Sequence, residues 1–253
     1  MVAPIEHKQQ NDRPRLAWIA GVGASAGLGA ALARRFSSEG LTVAVTGRSR
    51  DRLDALVDEI RSAGGHAIAL AGDVTSESDL AAVARQLAET GTLEAAIFNA
   101  AGATRAPTLE LTADQFEAAW RVTTFGGFLF ARAALQLLLE SGHGSLLFTG
   151  ATASLRGRPP FAAFASAKAG LRSLTQSLAR EFGPRNIHVA HVVVDGGIDG
   201  ERLRTASPQR VAERGADGLL NPADIADAYW HLHQQGRSAW SQEIDLRPFN
   251  EAF

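Results

Sequence analysis

The stretch "LAWIAGVGASAGLGAALARR" (residues 16–35) decides the fold. It opens with apolar residues 16–20, passes through small residues, and runs into a helical pattern that closes at Gly40. Two glycine spacings overlap in the turn. Gly21-x-Gly23-x-x-Ala26 approximates the dinucleotide fingerprint, and Gly23-x-x-x-Gly27-x-Gly29 is a second spacing that also fits. Glycines let a backbone turn sharply and approach a pyrophosphate, whose charge then meets a helix N-terminus. The alternative is a small-residue turn joining a strand to a tightly packed helix. The position after a first strand and before a helix favours cofactor binding.

Outward from this turn, short β-rich runs alternate with helical ones. The predicted strands are 16–20, 41–46, 66–71, 93–99, 144–149, 187–194 and 243–246. Most are continuous apolar runs, as expected of parallel strands covered on both faces. Between them, "RDRLDALVDEIRSAGG" puts Leu53, Leu56, Val57 and Ile60 on one helical face. "TADQ" (112–115) reads as a capping box before a helix to about residue 140, and Asn221-Pro222 as an N-cap with proline at the first position. This alternation predicts an α/β fold: one doubly wound Rossmann domain, with a parallel sheet of about seven strands flanked by helices. Residues 1–14 read as a mobile polar tail and residues 15–253 as the dinucleotide-binding and substrate domain.

The bulk numbers agree. The 253 residues are 45 % apolar and 21 % charged, ordinary for a globular protein with a large core. A net charge of −2 suggests no nucleic-acid or anionic-membrane partner. Without cysteine there is no disulfide, thiolate metal site or cysteine nucleophile. No apolar run reads as long enough to span a membrane, and the N-terminus lacks a signal-peptide core. A cytoplasmic location is expected. The pairs His231/His233 and His188/His191 have spacings that send their rings apart, so no metal site is expected.

The second strand ends "VTGRSR". Gly47 stands where a NAD site places its ribose-binding acid, and Arg48 follows. A guanidinium there suits the 2′-phosphate of NADP, and the alternative is a solvated arginine.

These residues and several others resemble the short-chain dehydrogenase/reductase family, over about residues 15–247. "GASAGLG" (23–29) matches its glycine turn, "GDV" (72–74) its adenine-holding segment and "FNAAG" (98–102) its N-N-A-G. "FASAKAGLRSLTQSLAREFGPRNIHV" follows its helix and next strand. The resemblance implies an NADP cofactor held by Gly23, Ser25, Ala26, Gly27, Leu28, Gly29, Arg48, Asp73, Val74, Asn99, Lys168 and Ile198. Lys168 falls on the lysine that binds the nicotinamide ribose and lowers the pKa of a tyrosine four residues earlier, although a lysine snorkelling to solvent is the alternative. The resemblance also implies a homodimer or homotetramer through "FGGFLFARAALQLLL" and the C-terminal "IDLRPFNEAF".

The acid–base half of the pattern is changed. The tyrosine position is Phe164, the serine position Ala151 and the helix asparagine position Thr124. Pro-Gly has become Asp195-Gly196, and the threonine four residues beyond that glycine has become Gly200. Phenylalanine has no proton to give, and losing a placed general acid costs about 10²–10⁴ in rate. Lys168 and Asp195 are the catalytic candidates. Asp195 is expected beside the nicotinamide, where it would steady a cationic substrate such as an iminium or act as an acid. The alternative is that it caps a turn or pairs with an arginine such as Arg158. Two functions follow: an NADP-dependent oxidoreductase with an altered proton source, acting on an imine, an activated alkene or an unusual carbonyl; or a dinucleotide-binding sensor or assembly partner without turnover.

Overall fold

The computed structural model describes residues 13–251, apart from residue 103 and the side chain of Arg210. Residues 1–12 of the expected tail and the last two residues of the C-terminal segment lie outside the described residues. Arg13 and Pro14, expected in the tail, are tied down. Arg13 donates to the Ala88 carbonyl, and the Pro14 carbonyl accepts from Thr92 N at 2.8 Å.

Seven strands form one sheet: β1 (Arg15–Ala20), β2 (Thr42–Thr46), β3 (His66–Ala69), β4 (Thr92–Phe98), β5 (Gly144–Thr149), β6 (Ile187–Val194) and β7 (Glu243–Leu246). All pairs are parallel and the order is β3-β2-β1-β4-β5-β6-β7. The predicted strands are present with ends shifted by two residues at most. β3 ends at Ala69, although Leu70 N still donates to Val45 O at 3.0 Å and Gly72 N to Gly47 O at 3.1 Å beyond it. Helices α1 (Leu28–Ser38), α2 (Arg50–Ser62), α3 (Glu77–Thr90), α4 (Ala113–Trp120), α5 (Gly126–Ser141) and α6 (Ala162–Phe182) make the first crossovers. The short α7 (Glu201–Ala206) and α8 (Pro208–Arg214) and then α9 (Pro222–Gln234) lie between β6 and β7.

Strand alternation divides the core. Ala17, Ile19, Val45, Ile97, Leu147 and Val192 pack with Leu32 and Phe36 of α1 and Tyr229 of α9. Trp18, Phe98, Leu146, Phe148 and Val189 pack on the other face with Phe130 of α5 and Leu171 and Leu178 of α6. Burial on both faces explains why the strands read as unbroken apolar runs.

The predicted caps hold. Thr112 and Gln115 form a reciprocal capping box, and Asn221 Oδ1 accepts from Ala223 N at 2.9 Å. The helix they predicted is not uniform: a π-helical turn, Arg121–Phe125, joins α4 to α5. The expectation that no segment reaches spanning length is corrected. The continuous run Ala113–Ser141 has 29 residues and contains an 18-residue window with a mean hydropathy of 1.5, enough by length and composition to cross a membrane. More than half of its apolar window is buried inside the protein, as for a core helix.

Candidate functional site: a crevice at the strand carboxyl ends

The strand order reverses between β1 and β4. In open α/β sheets this reversal is where ligands bind, in the crevice outside the carboxyl ends of the strands. The glycines of the turn after β1 have different work. A Cβ on Gly21 would stand 2.3 Å from Ala100 N, and one on Gly29 would stand 3.0 Å from Gly21 O. Close approach of protein to protein explains those two. Gly23 is exposed, and a Cβ there would meet nothing within 4 Å. Its side faces open space that a ligand is able to fill. No side chain caps the N-terminus of α1, and no acid stands in its first turn. Free amides and an open cradle at a switch point fit a pyrophosphate.

The other expected cofactor residues gather around the turn. A Cβ on Gly47 would lie 2.3 Å from Val22 O, so no acid is accommodated at that position. Arg48, the next residue, is exposed. Ser25 is engaged within the protein: its hydroxyl donates to Glu59 at 3.1 Å and accepts from Arg34 at 2.6 Å. Sequence reading missed Arg34 and Glu59, which come from two separate helices. Asp73 accepts from Thr75 N and Oγ1, both at 2.8 Å, and Val74 is buried. Ile198 forms a short bridge with Leu220. Gly200 follows closely, and a Cβ there would come 3.0 Å from the Ala26 carbonyl. The loop after β6 therefore lies against the glycine turn, and this contact accounts for a glycine at 200.

Thr149, at the end of β5, is a junction. Its carbonyl accepts from Lys168 Nζ at 2.6 Å. Its hydroxyl donates to Asn99 Oδ1 at 3.0 Å, and Asn99 Nδ2 donates to Gly21 O at 3.2 Å. The threonine proton is thereby committed, so the hydroxyl of Tyr229, 2.7 Å away, is the donor of its own bond to Thr149. Tyr229, the only tyrosine in the chain, is fully buried, and burial raises its pKa. It braces the site from the α9 side and is no acid.

Lys168 is 2 % exposed and forms no ion pair among the described residues. It does not snorkel to solvent. Burial lowers its pKa from the usual lysine range to about 7. Phe164 stands one turn earlier on α6, its ring centroid 5.9 Å from Nζ. Thr124, in the π turn, donates to the Ala167 carbonyl at 2.7 Å, so its hydroxyl is spent on the helix that carries Lys168.

Asp195, expected to anchor a cation or act as an acid, is fully buried at the end of β6. Its carboxylate accepts from Thr152 Oγ1 at 2.5 Å and pairs with Arg156 and Arg247, each at 3.1 Å. Two guanidiniums already neutralise it, and it does not open to a substrate. Pairing with an arginine was foreseen, but the partners are Arg156 and Arg247 rather than Arg158.

Behind Ala151 lies a polar line that the sequence did not suggest. Ser154 Oγ accepts from Ala151 N at 3.1 Å and sits 3.4 Å from His191 Nε2. His191 Nδ1 lies 2.9 Å from Glu243, which Arg172 grips at 2.6 and 2.7 Å. The imidazole explains Gly150, where a Cβ would come 2.4 Å from the ring. The order serine–imidazole–carboxylate suggests a nucleophile. However, Ser154 is buried, the bond to the imidazole is long, and burial pulls His191 down to about 4, a poor base. The line is a satisfied brace for the loop.

The comparisons agree with this geometry. The family model described as short chain dehydrogenase matches residues 17–210. A γ-butyrolactone 1′-reductase of the A-factor type from Streptomyces virginiae is 34 % identical over 218 residues, covering 77 % of this chain and 84 % of that protein. A short-chain dehydrogenase/reductase from Hericium erinaceus is 33 % identical over 171 residues, 65 % of this chain and 68 % of that one. Among solved structures, a short-chain dehydrogenase from Rhodopseudomonas palustris superposes with a TM-score of 0.78 at 38 % identity, covering 93 % of this chain and 99 % of the other. An actinorhodin polyketide ketoreductase with NADPH shares the fold, with a TM-score of 0.85 at 23 % identity over 95 % and 98 % of the two chains. A switch-point crevice with an open glycine cradle, a lysine buried across it and matches along most of the length lead to one assignment: this chain belongs to the short-chain dehydrogenase/reductase family.

Proposed function

We propose that the chain is an NADP(H)-dependent oxidoreductase whose proton source is not the family's tyrosine. The observation that carries this reading is the open cradle at Gly23 on the same crevice as a buried lysine that has no ionic partner among the described residues. When bound, the cofactor supplies or accepts a hydride. The first-turn amides at Leu28 and Gly29 would meet its pyrophosphate, with Ser25, Ala26 and Gly27 lining the turn. Arg48 would take the 2′-phosphate, and Asp73 and Val74 the adenine. Asn99 and Ile198 would border the nicotinamide half, and Lys168 would hold the ribose hydroxyls. Relatives described as a reductase and as a ketoreductase with NADPH support reduction and a phosphorylated carrier. Phe164 and Ala151 offer the reacting group no hydroxyl. The substrate is then an imine, an activated alkene or an unusual carbonyl. A cytoplasmic homodimer or homotetramer completes the reading.

A second reading, a dinucleotide-bound sensor without turnover, is favoured by one observation: Asp195 is locked between two arginines. The loss of NADPH absorbance with ketones, cyclic imines and activated alkenes separates the two. The oxidoreductase consumes NADPH with at least one class, and Phe164→Tyr gains ketone reduction by about 10²-fold or more. Tight binding with no consumption on any class would overturn the oxidoreductase in favour of the sensor.

A further inference from the structure

We infer that Lys168 is itself the proton donor of this site, protonating the oxygen of a carbonyl substrate as its carbon is reduced; this rests on the reductase reading above. A lysine ammonium carries three N–H donors. Among the described residues Nζ uses one, on the Thr149 carbonyl at 2.6 Å, so two remain for ligands. The ring of Phe164, centred 5.9 Å from Nζ, brings no polar atom to compete for them.

The hydroxyl groups of the loop and the helices nearby are engaged within the protein or buried away from the crevice. The Thr124 hydroxyl is on the Ala167 carbonyl, that of Thr152 on Asp195, and that of Ser154 is buried against Ala151 and His191. Tyr229 spends its proton on Thr149. The charged and titratable groups packed around the lysine are likewise compensated or neutral. From α6, Arg172 is paired with Glu243 of β7. From β6, His191 is held neutral by burial, and Asp195 is paired with Arg156 and Arg247. Nothing nearby pins the lysine as a permanent cation. Burial lowers its pKa to about 7, close to the optimum for a general acid at neutral pH.

The step balances. NADPH is the reductant, and the carbonyl carbon gains the hydride pair. The C=O π bond breaks, the oxygen takes a proton from Nζ, and an N–H bond breaks to leave a neutral amine. A solvent proton restores the ammonium. The products are an alcohol and NADP⁺.

The chain has only two lysines, Lys8 and Lys168. With lysine labelled at Cε and Nζ, the full-length protein gives two side-chain signals, and Lys8→Arg identifies which belongs to Lys168. That signal is expected to titrate with a midpoint of about 7. The rate of NADPH-dependent reduction of ethyl benzoylformate, at saturating substrate, is expected to fall by about tenfold per pH unit above the same midpoint. Both lysines titrating together in the ordinary range, a rate unchanged from pH 6 to 9, or a protein that binds NADPH yet leaves the ketoester untouched would each overturn the donor role. A wild type that binds no NADPH at all overturns the functional reading itself, and the lysine titration is scored apart from it.

Discussion

The Thr149 junction supports a prediction whose size follows from the direction of its hydrogen bonds. Asn99 Nδ2 points at Gly21 O, so Oδ1 faces Thr149, which donates to it and accepts from Tyr229. Tyr229→Phe removes one donor and leaves Thr149 still bonded to Asn99. The expected cost is about 1 kcal/mol. Thr149→Val removes the shared hydroxyl and strands two groups, the phenol of Tyr229 and Oδ1 of Asn99. Each group left unpaired costs about 1–3 kcal/mol, so the total is about 2–6 kcal/mol, with the half-buried Asn99 towards the low end of its range. At this chain length about 1 kcal/mol moves Tm by roughly 2–4 °C, which separates the two variants clearly in a thermal or urea melt. The double variant, having no phenol to strand, should be no less stable than Thr149→Val alone. If Thr149→Val costs no more than Tyr229→Phe, or the two costs simply add, the directed chain described here is wrong.

Other outcomes follow from single sites. Gly23→Ala should leave the urea midpoint nearly unchanged but weaken dinucleotide binding, whereas Gly47→Ala, which puts a Cβ 2.3 Å from Val22 O, should destabilise the cofactor-free fold. Asp195→Asn strands two arginines and should cost about 3–5 kcal/mol in a denaturant melt while changing NADPH affinity little. Arg48→Ala should raise the Kd for NADPH by about tenfold, the size of one charged hydrogen bond, and leave that for NADH within about twofold, as measured by calorimetry. His191 and His233 are both held at about 4 by burial, below the unfolded value of 6.5. The unfolded chain therefore binds more protons between those values, and stability should fall as pH drops from 6.5 towards 4, by at most about 2.7 kcal/mol per pH unit for the pair. Lys168 acts in the other window: between about 7 and 10.5 the unfolded chain keeps a proton the folded one has lost, so its contribution to stability rises with pH.

The fold was legible because its signals are local. Strands buried on both faces read as unbroken apolar runs, and Thr112–Gln115 and Asn221-Pro222 mark helix starts within a few residues of chain. The π turn at Arg121–Phe125 was not legible, since its residues keep the helical pattern on either side. In the crevice, glycine spacing located the turn, but only the structure distinguishes Gly23, which faces open space, from Gly21, which faces Ala100. Pairing of Asp195 with an arginine was legible, but not which arginines, because they lie 39 and 52 positions away, on a loop and beyond β7. The same holds for Tyr229 beneath Thr149 and for His191 beneath Gly150: these pairings cross the sheet, and periodicity along the chain carries no trace of them.

The central claim is that this crevice holds a phosphorylated nicotinamide dinucleotide. Calorimetric titration of the purified wild-type protein with NADPH and with NADH tests it most directly. The account predicts saturable binding of NADPH, at least tenfold tighter than NADH. Heat signals from both that match a buffer blank would contradict it.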